Sequence, residues 1–311
     1  MVEVLQSTGR YQVIERLEYR PRYNPEDGSS KRIGLFVDVE TTGLDATTDK
    51  IIELSVVRFE FSREGKIFNV FTSESWYEDP GCPIPELITE LTGIKDSDVS
   101  GKSINETRVN QLVDGADLIV AHNASFDRPF CECRLAAFAR KHWACSCDDI
   151  NWPAEGFRYR SLEWLAYKQC GMFYQAHRAD ADCYMGIHVL STILPKSRRT
   201  AMAALLESAR CATVRVWAIN ASFFARGVLK NRGYRWSDGA DGRPKAWWRC
   251  VKDNELDQEL AWLTETVYPS EGLARPVIQR FDGKLRFSTR SEVLPLLSVT
   301  YERAEKELTS C

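Results

Sequence analysis

Residues 34–45 read GLFVDVETTGLD. Leu35, Phe36 and Val37 begin an apolar run of the kind that fills a buried strand, and Asp38 and Glu40 then interrupt it. On a strand, side chains i and i+2 leave the same face, so these carboxylates project together with their Cα atoms ~7 Å apart. Two like charges beside hydrocarbon are costly unless something of opposite charge stabilises them. A hard divalent cation, Mg2+ or Mn2+, does so through carboxylate oxygens and keeps positions free for a phosphate. Taken alone, the pair reads equally well as two solvated acids at an exposed strand end.

More acids fall at the ends of elements. LIVAHNASFD (118–127) runs from strand into helix and delivers Asp127 in the helix's first turn. HRADADC (177–183) offers His177, Asp180 and Asp182 just before a helix, and spacing does not choose among them. His177 and Asp182 are too far apart to share one face of a regular helix, but they converge if His177 lies on the preceding loop. Asp127 and Asp180 each have a plainer reading as charges at a helix N-terminus. Together these groups form a candidate set of carboxylates and one histidine around a metal pair.

The surrounding pattern is layered. IGLFVDVE, KIIELSVVRFEF and GKIFNVFTS read as strands. PIPELITELTG is a helix stopped by glycine, and SINETRVNQLVDG begins with Ser103 and Glu106 at capping-box spacing. A strand (DLIVAHN), a helix with Ser125 as its cap, and two further helices follow, the last stopped by Pro195. Strands first, then strand and helix alternating, predict an α/β layered domain over 31–195, behind an N-terminal arm of residues 1–30. Residues 196–210 read as a connecting helix. Residues 211–311 read as a small α+β domain whose hairpins are YRWSDG with KAWWRCV, and PVIQRFDGKLRFS turned at Asp282-Gly283.

Composition narrows the class. Hydrophobic residues make up 44% and charged residues 27% of 311, ordinary for a globular protein. No apolar stretch reaches the ~20 residues that cross a bilayer, and the N-terminus carries no signal-like segment, so the expectation is a cytoplasmic protein without a membrane partner. Ten cysteines at this length read as reduced thiols. The CEC and HWACSC stretches lack the spacing of a zinc knuckle. The net charge of −3 divides unevenly. Residues 196–311 carry 20 Lys+Arg against 14 Asp+Glu, and the rest carry 21 against 30. The basic half permits contact with a phosphate backbone but does not require it.

FVDVETTG, HNASFD and HRADAD resemble, in order and at the usual spacing, the three motifs of the DEDD-type (DnaQ-like) 3′–5′ exonuclease superfamily, in its histidine subclass. The resemblance covers residues 31–195 and implies a ribonuclease H-like fold with a mixed five-stranded sheet flanked by helices. The family's third motif, H-x-A-x-x-D, selects His177, Ala179 and Asp182 and leaves Asp180 a bystander. By that resemblance Asp38, Glu40, Asp127 and Asp182 hold two divalent cations, and His177 is the general base that takes a proton from the attacking water. A cation pair stabilises both the attacking and the leaving oxygen of an in-line phosphoryl displacement, and a histidine accepts a proton near neutral pH. The terminal nucleotide would meet the backbone around Thr41 and the side chain of Leu44, with Asn123 and Phe126 lining the same pocket. For Phe126, core packing is an equal alternative.

The activity so implied is release of nucleoside monophosphates from single-stranded DNA 3′ ends. An exoribonuclease or oligonucleotidase on the same scaffold is the alternative enzyme. A non-catalytic nucleic-acid-binding or polymerase-associated subunit is the third reading. NRGYRW and KAWWRC mix cations with aromatics, as surfaces that stack bases do, although a small sheet needs such rings for its core. Their pattern resembles an accessory domain attached to some bacterial DnaQ-like exonucleases. Its role stays open between nucleic-acid binding, self-association and recruitment of a polymerase or other partner.

Overall fold

The computed structural model describes residues 1–240, 242–268, 276–290 and, for the main chain, 297–298. They divide into two compact units. The first holds residues 1–210 together with 283–288, and the second holds 211–282 and the residues after 288.

The first unit is built on a mixed sheet of β1 (Lys31–Thr41), β2 (Ile51–Ser62), β3 (Ile67–Val70), β4 (Glu74–Tyr77), β5 (Leu118–Ala121) and β6 (Trp143–Cys145). The order β3-β2-β1-β5-β6 gives the expected five-strand path, and the short β4 adds a sixth strand by pairing with β2. Strands β1 and β2 are antiparallel, whereas β5 runs parallel to β1 and β6 parallel to β5. Helices α1 (Glu106–Asp114), α2 (Ala124–Arg134), α3 (Ala179–Ser191) and α4 (Ala201–Arg210) cover both faces. Alternation along β1 sorts its residues: Leu35, Val37 and Val39 join α1 and α2 in one core, and Phe36 joins α3 and α4 in the other. Asp38 and Glu40 continue the row of Phe36 towards the strand's end.

That row meets α3 at close quarters. A Cβ on Gly186 would lie 2.1 Å from Cζ of Phe36, so only glycine lets the helix seat here. Beside it, the Cys183 thiol points at the Phe36 carbonyl at 3.6 Å. Asp182 stands one helical turn before Gly186, which brings its carboxylate to the end of β1.

Residues 283–288 complete this unit. Arg128, fully buried on α2, donates through Nη1 to the carbonyls of Gly283 (3.2 Å) and Arg286 (2.5 Å), and through Nη2 to that of Lys284. Arg286 in turn pairs with the buried Asp149, and Ser288 donates to Glu132 at 2.6 Å.

Several local expectations change. The N-cap of α1 is Asn105, whose side chain accepts from the Arg108 amide, because the helix starts after Ser103 rather than at it. Ser125 lies inside the first turn of α2, with Asn123 at the cap position. Helix α3 ends at Ser191, well before Pro195. Residues 201–210 bury Met202 and Leu205 in the first unit's core and so do more than connect. Part of the N-terminal arm, Glu15–Arg16, pairs with Met172–Phe173. The Asp282-Gly283 turn does not return a partner strand, since 283–288 pack in the first unit.

In the second unit, β7 (Thr213–Ala218), β8 (Arg235–Trp236), β9 (Trp247–Lys252), β10 (Val277–Phe281) and β11 (Leu297–Ser298) lie in the order β8-β9-β7-β10-β11. Val214, Val216, Val251 and Ile278 pack against Leu229 and against Leu256, Leu260 and Leu263 of the helix Leu256–Thr266. The basic-aromatic stretches serve this core. Buried Glu259 accepts from Arg232 (3.0 Å), Arg249 (3.2 Å) and Tyr234 (2.9 Å). Among the described residues, no helix is long and apolar enough to cross a membrane.

Gly186→Ala sets helix propensity against overlap. Alanine gains up to about 1 kcal/mol in a helix, but forcing a methyl into a packed core costs about 1–3 kcal/mol. The variant should therefore be less stable in chemical denaturation, and a displaced Asp182 should bind Mn2+ more weakly by titration.

Candidate active site

Three carboxylates converge at the end of β1. Among the described residues, Asp38, Glu40 and Asp182 are the one group of three or more metal-ligating side chains that could share an ion, with one ligand atom of each within 4.8 Å of the others. All three residues are half-buried. No lysine or arginine pairs with Asp38 or Glu40, and no donor bonds to their carboxylates, within the described residues. The donor set is all hard oxygen, and Arg178 and His177 offset its charge only in part, which fits Mg2+ or Mn2+ better than a softer metal.

Asp182 is better provided for. The Tyr174 hydroxyl donates to its Oδ1 at 2.8 Å and the Arg178 amide to its Oδ2 at 3.2 Å. Asp127 stands beside the group rather than in it. Its side chain is buried, and Oδ1 accepts the Val39 amide at 3.2 Å, which fixes it against the strand that carries Asp38. His177 precedes α3 on an exposed turn with φ of 60°, a left-handed conformation that non-glycine residues adopt uncommonly. The break in regular structure between His177 and Ala179 is what lets the imidazole approach Asp182, whose acidity it enhances.

The electrostatics follow from crowding. Burial, and then the charges of Asp127, Asp182, Glu40 and Glu53, push the Asp38 carboxyl well above the usual carboxylate range. Burial and the neighbouring acids push Glu40 up to about 8. For Asp127 burial outweighs the Val39 amide, giving about 7. For Asp182 burial is offset in part by Tyr174 and His177, giving about 6.

Thr41 turns its hydroxyl onto the Gly43 carbonyl at 2.6 Å, and Leu44 projects into solvent, 85% exposed. Asn123 is exposed at the start of α2, while Phe126 is half-buried with its ring 5.1 Å from Phe130 in the core. Asp180 accepts the Ala181 amide in its own helix and stays outside the acid group.

Sequence reasoning missed Glu53. It sits opposite Glu40 in the β1–β2 register, is 3% exposed, and meets Arg178 and the Ala179 amide, each at 3.5 Å. The signal was present, since Glu53 interrupts the apolar KIIELSVV as Asp38 interrupts GLFVDVE. Tyr77 accepts from Arg178 at 2.9 Å, so the residue after His177 is held from two sides.

Residues 35–190 match the RNase_T family model, described as Exonuclease. The PolC-type DNA polymerase III of Listeria innocua is 42% identical over 95 residues, 30% of this chain and 6% of that protein. That of Bacillus subtilis is 40% identical over 95 residues, again 30% and 6%. The chain thus spans about 6% of the length of these curated relatives. Among solved structures, E. coli exonuclease I in complex with a 5cy-dT13 oligonucleotide shows 17% identity and a TM-score of 0.47, covering 72% of this chain and 64% of that one. Exonuclease X in complex with 5′ overhanging duplex DNA shows 24% identity and a TM-score of 0.38, covering 56% and 90%.

An acid whose pKa is higher in the folded than in the unfolded chain binds its proton more tightly when folded. Its stabilising effect is present at low pH and is lost as pH rises through the folded values of about 6 to 8. In chelator, the melting temperature should therefore fall from about pH 5 to about pH 8, and added Mn2+ should raise it more at the upper end. A flat profile with no cation effect would mean that the acids do not repel one another.

Proposed function

Because this chain belongs to the exonuclease family, we propose that it is a metal-dependent 3′–5′ exonuclease that releases nucleoside monophosphates from single-stranded DNA ends. The observation that carries this reading is the meeting of Asp38, Glu40 and Asp182, from β1 and α3, on one point with no lysine or arginine in an ion pair with any of them among the described residues. Asp38, Glu40 and Asp182 would hold the cations, with Asp127 completing the set. When bound, divalent cations would offset the charge that builds on the phosphoryl oxygens during in-line displacement.

The chain's own groups divide the remaining work. His177, exposed on its left-handed turn, takes the proton from the attacking water, a role suited to an imidazole near neutral pH. Tyr174 and the Arg178 amide hold the Asp182 carboxylate in one orientation, so that little reorganisation is needed on binding. The exposed Leu44 wedges against the terminal base, and the backbone around Thr41 and the side chain of Asn123 meet the terminal nucleotide. Phe126, half-buried beside Phe130, serves the pocket from its core side. The PolC-type relatives, polymerases by name, make a polymerase the natural second partner.

The test uses 5′-labelled DNA and RNA oligonucleotides with Mn2+ or chelator. Wild-type chain should produce a 3′-shortening ladder on DNA, and Asp38→Ala should abolish it. His177→Ala should cut turnover about 10²-fold or more while Mn2+ titration stays close to wild type. A ladder on RNA alone would move the assignment to an exoribonuclease. Wild-type turnover in the histidine variant would remove the base assignment.

A further inference from the structure

Residues 158–168, RYRSLEWLAYK, turn two kinds of side chain in opposite directions. Leu162, Leu165 and Ala166 enter the core. Tyr159, 54% exposed, and the half-buried Trp164 and Tyr167 face outward. The three rings adjoin one another, with centroids 5.4 Å apart for Tyr159–Trp164 and 6.0 Å for Trp164–Tyr167. Cations lie over them. The Arg158 guanidinium is 5.6 Å from the Tyr159 ring, and the Lys168 ammonium is 4.4 Å from Tyr167 and 5.4 Å from Trp164. Neither Arg158 nor Lys168 has a carboxylate partner among the described residues. Arg160 is neutralised by Asp148 at 2.5 Å, and Glu163 is the exposed acid within the run.

Both ends of the stripe are tied to the acid cluster. His122 Nε2 donates to the Arg160 carbonyl at 2.8 Å, and His122 directly precedes Asn123 and the helix of Asp127. At the other end the chain passes Gly171 to reach Tyr174, whose hydroxyl donates to Asp182 at 2.8 Å. The stripe is therefore joined to the acid-bearing elements through His122 at one end and through the short link to Tyr174 at the other.

We propose that this stripe is the track for the single-stranded DNA that trails upstream of the 3′ terminus, an inference that rests on the nuclease reading above. Cations held over ring faces, rather than by carboxylates, keep their charge available to phosphates, while the exposed rings offer surfaces on which bases stack without regard to sequence. A strand held there would leave its last nucleotide at Asp38, Glu40 and Asp182.

The experiment measures equilibrium binding of a fluorescein-labelled oligothymidine of ~20 nucleotides, long enough to cover the stripe, by anisotropy in chelator. The Arg158→Ala/Tyr159→Ala/Lys168→Ala triple variant of the full chain should bind it ~10-fold or more weakly. The slope of log affinity against log salt should shrink by about 1.4, two phosphate contacts at about 0.7 each. Restoring an aromatic ring, with Tyr159→Phe in place of Tyr159→Ala, should recover part of the affinity and none of the slope. An affinity within about twofold of wild type, with an unchanged slope, would overturn the proposal and leave the stripe to a protein partner or to packing. If wild-type chain hydrolyses DNA while the triple variant binds as tightly, the stripe falls and the nuclease stands. If wild-type chain binds the oligomer and hydrolyses nothing while the triple variant loses affinity and slope, the nuclease reading falls and the stripe stands only as a single-strand binding surface.

Discussion

Repulsion among the carboxylates of Asp38, Glu40, Asp127 and Asp182 sets the terms on which the first unit folds. Each lies where burial already disfavours its charge, and the neighbouring acids raise Asp38 and Glu40 further, as Asp182 does Asp127. The scaffold answers in two ways. It supplies neutral donors to two of the acids, the Val39 amide to Asp127 and the Tyr174 hydroxyl to Asp182. It also commits packing energy to hold them together, through Gly186 against Phe36 and through an antiparallel β1–β2 ladder that runs unbroken from Lys31 to Glu40. Among the described residues no lysine or arginine pairs with Asp38, and Arg178 offsets the charge of Glu40 only in part. What remains for them is a cation or a shared proton, and the same crowding that strains the empty cluster gives a cation its affinity.

This constraint explains how much of the molecule was legible in its sequence. An acid inside an apolar strand contradicts the residues around it, and such contradictions collect where function overrides packing. Asp38 and Glu40 announced themselves in that way, and so did the alternating strands and the helix carrying Asp182. Caps were harder to read. Ser103 and Glu106 have capping-box spacing, yet Asn105 does the capping, because its carboxamide oxygen accepts from Arg108 and a serine two residues earlier lies outside the helix. Spacing alone could not tell these apart. The left-handed turn at His177 was equally hidden, since nothing in the residue type demands it.

Glu53 was missed although it carried the signal that exposed Asp38. One buried acid had been explained by a cation, and a second on the neighbouring strand had no motif to attract attention. Its partner Arg178 follows His177, so the glutamate is linked to the turn that carries His177 although the two are distant in sequence. The basic and aromatic run of NRGYRW and KAWWRC read in two ways, as rings for a small core or as a surface for nucleic acid. Glu259 on a later helix gathers Arg232, Arg249 and Tyr234 into a buried polar knot, while Trp236 stays 51% exposed. Only the fold could bring that glutamate to them.

The place of residues 283–288 in the first unit bears on how the protein is made. Arg128 finds its main-chain acceptors 155 to 158 residues further along the polypeptide. Its guanidinium is fully buried, with Nε on Glu132 one turn along the same helix at 2.6 Å, and it is Nη1 and Nη2 that draw on the later carbonyls. A ribosome that has released residues 1–210 has made every candidate catalytic side chain but not the carbonyls that hold Arg128. The nascent first unit must wait for some seventy more residues to emerge, closing a long loop late in synthesis. During that interval the unfinished unit presents an open seam, which is the kind of surface that chaperones guard.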